Sequence, residues 1–185
     1  MKKSLGAKTL IVPSPVWCIG TYNENGTPNV MTASWAGICC GEPPCVAVSL
    51  RKATHTYGNI MRTKAFTVSV PSKKYAKQAD YVGGASGKTV NKFEKMGLTP
   101  VKAELVNAPY VGEFPLILEC RVIHVFELGL HTQFVGQIMD VKADESVLSK
   151  TGSPDFKAID PFLFSAADRT YYGVGEKIAD AFENR

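Results

Sequence analysis

Short apolar runs separated by turn residues dominate the chain, and most alternate with the period of a strand rather than a helix. The longest begins at Leu116. Leu118, Cys120, Val122, His124, Phe126 and Leu128 fall on one face, and Ile117, Glu119, Arg121, Ile123, Val125 and Glu127 on the other. Both faces are at least half apolar, so a strand over 116–128 needs cover on both sides. Leu128-Gly129-Leu130 then turns the chain into a partner strand over 131–141. Asn25-Gly26 marks an earlier hairpin. It joins an extended stretch over 8–21, interrupted by Pro13 and Pro15, to a returning strand over 28–36. Residues 45–50 and 65–70 read as short apolar strands.

Helical patterning is confined to inserts. Residues 54–63 and 72–82 read as helices capped by Thr54 and Ser72, and N-K-F-E-K-M forms a short helical piece that stops at Gly97. Between them 83–88 is a loop, and a polar helix-like segment follows Gly175. Six or more locally connected strands with short helical insertions predict a mainly β fold, an antiparallel barrel whose closure removes exposed edges. A parallel nucleotide-binding fold fits poorly: no G-x-G-x-x-G follows a strand, and the 83–88 loop lacks P-loop spacing.

The 185 residues suit a single domain over 1–185, with 45% hydrophobic and 21% charged residues. The net charge of +4 comes from scattered Lys and Arg without a block of like charges, which argues against nucleic-acid binding. Lys8, Pro13 and Pro15 interrupt any leader-like run after M-K-K-S-L-G-A-K, and no apolar stretch reaches membrane length. A cytoplasmic protein with no membrane partner is expected. Five cysteines without a C-x-x-C predict reduced thiols. Cys40-x4-Cys45 lacks the third cysteine that an iron–sulfur spacing needs, so no metal is expected.

Seven blocks then come in a familiar order: N-V-M-T-A-S-W from Asn29, V-A-V-S-L-R followed by T-H-T-Y-G-N-I, F-T-V-S-V-P, G-G-A-S-G-K, N-K-F-E-K-M-G-L-T, A-P, and L-E-C-R-V. This order resembles the flavin reductase-like split-barrel family over about residues 8–142. Asn91 stands where that family has the aspartate of D-K-F. The resemblance implies an antiparallel split β-barrel and a homodimer, with one FMN per subunit at or near the subunit interface. It also implies exchange of electrons with a redox partner protein or with NAD(P)H. Two-sided apolar content in 116–128 agrees with a second subunit covering one face.

FMN needs cations and donors for a phosphate of about −2 charge, a polar edge for the flavin heteroatoms and an apolar wall for the ring. In a strand over 29–36, Asn29, Met31, Ala33 and Trp35 point one way while Thr32 and Ser34 point the other. Neither face is simply apolar, and the small side chains let a planar ligand approach the backbone; solvated hydroxyls on a sheet edge are the plainer reading. Ser49, Leu50 and Arg51 lead from a strand end into Thr54, His55 and Thr56 at a helix start, where N–H groups, hydroxyls and a cation meet. Arg51 is the first phosphate candidate; Thr54 reads equally as a cap only. Ser86, Gly87 and Lys92 form a second set, with Lys92 reaching phosphate, reaching the flavin edge, or lying on a solvated helix face. His131 opens a strand at the barrel mouth, whereas His124 reads as a core histidine. Cys40, in a loop after the 28–36 strand, is a thiol near the ring or a buried structural cysteine. The apolar run Pro161-Phe162-Leu163-Phe164 either covers the ring through Phe164, covers a partner subunit, or packs the core. Neither electron carriage nor hydride transfer needs an acid or base from the protein, so no catalytic residue is assigned. An electron carrier is preferred over an NAD(P)H:flavin oxidoreductase or a non-catalytic flavin-binding protein.

Overall fold

The computed structural model describes residues 1–181. Its first half holds β1 (Ser14–Pro15), β2 (Trp17–Tyr22), β3 (Pro28–Ala33), β4 (Ala36–Gly41), β5 (Pro44–Arg51), α1 (His55–Thr63), β6 (Ala65–Val70) and α2 (Ala76–Gly84). The second half holds α3 (Lys92–Met96), β7 (Pro100–Lys102), β8 (Pro109–Val111), β9 (Leu116–Leu128), β10 (His131–Ala143), α4 (Phe156–Ile159), β11 (Phe162–Ser165) and β12 (Thr170–Gly173). Seven strands form one antiparallel sheet in the order β3-β2-β6-β9-β10-β5-β4. Its two edge strands, β3 and β4, are consecutive in the chain, and the Ser49 N–H donates to the Trp35 carbonyl at 2.9 Å beside that join. The sheet therefore curls back on itself as a barrel.

Ile19, Val46, Val48, Leu50, Phe66, Val68, Cys120 and Phe134 fill the barrel, and Ile60 of α1 packs with them. Gly136 is required there. A Cβ at that position would sit 2.5 Å from the Phe66 ring, so the missing side chain makes room for the phenylalanine. A second core lies outside the barrel, where Val16, Cys18 and Val30 meet Ala79 and Val82 of α2, Phe93 of α3, and Phe162. β2 and β6 are thus covered on both faces, and all of β6 is buried.

One buried carboxylate organises the far side. Glu119 is fully buried, accepts the N–H groups of Glu104 and Leu105 at 3.1 and 2.7 Å, and pairs with Lys142 at 3.4 Å. These contacts hold the turn between β7 and β8 against the sheet.

The structure departs from the expected elements in five places. The returning strand ends at Ala33; Ser34 and Trp35 bend the chain, and the expected loop beyond is the paired edge strand β4. Ser72 precedes a 3₁₀ turn, Lys73–Tyr75, without a side-chain cap bond, so α2 starts at Ala76. Register shifts in the β9–β10 ladder change the alternation, and β9 runs past the core, leaving His124 exposed rather than interior. Phe162–Ser165 and Thr170–Gly173 pair as β11 and β12, two strands that the alternation does not announce. No helix forms over 175–181, and the rest of the expected tail helix lies outside the described residues.

Candidate functional site

α1 is capped as its sequence predicts. The Thr54 hydroxyl accepts from Tyr57 N–H at 3.3 Å and donates to the Arg51 carbonyl at 2.9 Å, which fixes the corner between β5 and α1. Its one O–H donor is engaged there, so Thr54 serves as the cap of α1. The corner places the N-terminus of α1 beside Arg51.

A cavity of about 230 Å³ opens at this corner. Met31, Arg51, Thr54, His55, Thr56, Ser86, Gly87 and Lys92 all line it, so eight residues singled out from five separated segments converge. Lys92 is no solvated helix residue: it is 4% exposed, and Nζ donates to the Val82 carbonyl at 2.7 Å. Burial holds its ammonium down to about 8, opposed by the nearby Cys18 thiol, which burial pushes up to about 12.

Asn29 sits beneath the cavity floor. Its Nδ2 donates to Thr56 Oγ1 at 3.0 Å and Thr21 Oγ1 at 3.3 Å, while its buried Oδ1 has no partner among the described residues. A Cβ on Gly87 would lie 2.1 Å from that oxygen, so only glycine lets the loop after α2 close over it. Asn23 and Asn59 extend the network: Asn59 Nδ2 donates to Asn23 Oδ1 at 2.9 Å, and His55 Nε2 is 2.8 Å from the same oxygen. Because Oδ1 only accepts, Nε2 of His55 carries the proton. Burial, then Lys88 and Lys92, hold His55 below its usual range. Asn23 and Asn59 were missed because each is an ordinary polar residue in its own segment. A second cavity of about 630 Å³ adjoins the first through His55 and Gly87.

The wall lies next to the corner. His131 pairs with Arg51 across the β10–β5 ladder, and its ring is 4.4 Å from that of Trp35, tilted 36°. Ser49, half-buried, joins this group through its bond to Trp35. Ser34 and Trp35 also border an apolar groove of about 360 Å³ closed by Thr9, Ile11 and Pro13 of the N-terminal arm.

Five candidates stand elsewhere. Thr32 faces α2, donating to the Ala79 carbonyl at 2.5 Å. Ala33 and Leu50 are buried in the barrel core. Cys40 is exposed near the far end of β4, which begins just after Trp35. Phe164 packs against Tyr171 in the outer core, with ring centroids 5.6 Å apart, and does not line the cavity.

A flavin mononucleotide fits these donors. A phosphate dianion placed in this cavity would meet Arg51, Lys92, the α1 N-terminus and the Ser86–Gly87 segment. Trp35 and His131 offer an aromatic wall with small side chains beside it. No group of three or more His, Cys, Asp or Glu side chains able to hold a metal occurs among the described residues, and none of their helices is long and apolar enough to cross a membrane.

Comparison with known proteins points the same way. The flavoredoxin of Desulfovibrio vulgaris (Miyazaki F) is 54% identical, with a TM-score of 0.95 over 100% of this chain and 99% of that one. The flavoredoxin of Methanosarcina acetivorans is 31% identical, with a TM-score of 0.92 over 100% of this chain and 97% of that one. A ferric-chelate reductase (NAD(P)H) of Archaeoglobus fulgidus is 26% identical over 134 residues, covering 71% of this chain and 78% of the reductase. The profile described as flavin reductase like domain matches residues 9–171, and by that match the chain belongs to the flavin reductase-like family.

Proposed function

We propose that this chain is a flavoredoxin-like electron-transfer protein that binds FMN and acts as a single cytoplasmic domain. The observation that carries the reading is the convergence of Arg51, Lys92 and the α1 N-terminus on one cavity beside the Trp35–His131 pair. Whole-chain similarity to two flavoredoxins supports it. Bound FMN supplies the redox chemistry. The protein's own share is to hold the phosphate through Arg51 and Lys92, to fix the α1 corner through Thr54, and to keep His55 neutral near pH 7.

The protein acts as a homodimer. Ile123, Val125, Phe126, Leu128 and Leu130 are all exposed on the projecting β9–β10 hairpin, a concentration of apolar surface that suits a second copy. A colourless monomer that ignores added FMN would end this reading.

An NAD(P)H-dependent reductase is the second reading, favoured by two observations: the similarity to the ferric-chelate reductase, and the placement of Phe164 against Tyr171 rather than over the cavity. Anaerobic mixing of the flavin-loaded protein with NADH, NADPH and a small electron-transfer protein separates the two. The carrier reading expects slow bleaching by either nucleotide and fast bleaching by the protein donor. Rapid, saturable nucleotide oxidation would establish the reductase instead.

A further inference from the structure

Three of the five cysteines cluster at the free end of the β4–β5 hairpin, away from the flavin cavity. Gly41 pairs with Pro44, so Glu42 and Pro43 make the turn, and Cys40 and Cys45 are the next pair in the ladder. Directly opposed residues in an antiparallel pair have Cα atoms about 4.5 or 5.5 Å apart. A disulfide spans about 4.4–6.8 Å between Cα atoms, a range that takes in a directly opposed pair such as Cys40 and Cys45. Cys39 differs from both: the register shift between Ile38 and Cys40 leaves it unpaired as the bulge residue.

Accessibility divides the pair into two roles. Cys40 is exposed, with Sγ donating to the Glu42 carbonyl at 3.3 Å, whereas Cys45 is 2% exposed. Burial, then the Cys40 and Cys39 sulfurs, raises the Cys45 thiol above its usual range. A low-molecular-weight disulfide reaches Cys40 first.

The geometry points to Cys40 and Cys45 as a reversible dithiol/disulfide pair, a thiol-exchange site for low-molecular-weight disulfides that is separate from the flavin cavity. In the first step the Cys40 thiolate attacks one sulfur of the small disulfide. Its S–S bond breaks, one thiolate leaves, and a mixed disulfide forms on Cys40. Cys45 then loses its proton and attacks the Cys40 sulfur, expelling the second thiolate. The two protein thiols give up two electrons and two protons, and the small disulfide becomes two thiols. Closure ties the end of β4, the edge strand that begins next to Trp35, to β5.

Flavin-loaded protein equilibrated anaerobically with oxidised glutathione, alkylated and weighed by mass spectrometry provides the test. Wild type is expected to lose two of its five alkylatable thiols and two hydrogen masses, with fragmentation placing the link between Cys40 and Cys45. Cys39→Ser should close equally well. Cys45→Ser should stall with one glutathione on Cys40. Cys40→Ser alters an exposed position, keeps its flavin and should form no intramolecular link. The proposal is overturned if wild type keeps all five thiols, stops at the glutathione adduct, links through Cys39, or forms a link between two chains on a non-reducing gel.

Discussion

Glu119 and Lys92 are both buried charges, yet the chain treats them in opposite ways. Glu119 receives two N–H groups and the Lys142 ammonium, so its charge is matched where it stands. Lys92 receives one carbonyl and no carboxylate among the described residues, and its ammonium is driven down to about 8. A buried charge matched by its own chain serves the fold. One left with only a carbonyl, lining a cavity beside Arg51 and a helix N-terminus, is what the proposed phosphate site needs.

Removing the matched charge should give the largest effect, and on stability alone. Glu119→Ala strips the 104–105 turn of its acceptor and Lys142 of a partner, at a cost of about 3–5 kcal/mol. Denaturant titration should show that loss, while the protein still folded binds FMN as wild type does. An affinity loss matching the stability loss would mean the two regions are not separate.

Gly87→Ala reverses that pattern. Its Cβ would collide with Asn29 Oδ1 and press on His55, at 2.1 and 3.0 Å, so the loop must lift away from the cavity. The overpacking cost is about 1–3 kcal/mol, and FMN affinity should fall at least about tenfold. Unchanged affinity in calorimetry would show that the loop plays no part in binding.

The pH dependence sharpens the contrast further. Because Lys92 is held at about 8 in the fold against 10.5 when free, its charged form is disfavoured there. That penalty is fully present below pH 8 and disappears as pH rises through 10.5. A bound phosphate favours the charged form, so binding should take up a proton near pH 8–9. FMN affinity should decline as pH climbs from 8 to 10 in wild type but change less in Lys92→Met. Parallel pH profiles for the two proteins would remove Lys92 from the phosphate site.

Much of this site was legible because its chemistry is local. V-S-L-R before T-H-T-Y places a cation, a cap and a helix start within six residues, and the structure keeps them together. The alternation of N-V-M-T-A-S-W correctly separates Met31 and Ala33 from Thr32, but it cannot say which side meets a helix. The bend at Ser34–Trp35 carries no Gly or Pro, so the strand reads straight through it and the paired strand that holds Cys40 reads as a loop. The packing of Phe164 was hidden for a different reason: its partner Tyr171 lies on β12, which sequence alternation did not reveal. The Asn23–Asn29–Asn59 network joins segments far apart in the chain, and no local pattern announces it.

The most direct test of the account is the discrimination between FMN and riboflavin by calorimetry on flavin-stripped wild type and Arg51→Ala. Loss of a charge-assisted phosphate contact is worth about 1.5–3 kcal/mol. FMN affinity should therefore drop about 10- to 150-fold while riboflavin affinity changes less than about twofold. Equal weakening of both ligands, or no change in either, would contradict a phosphate cradle built on Arg51.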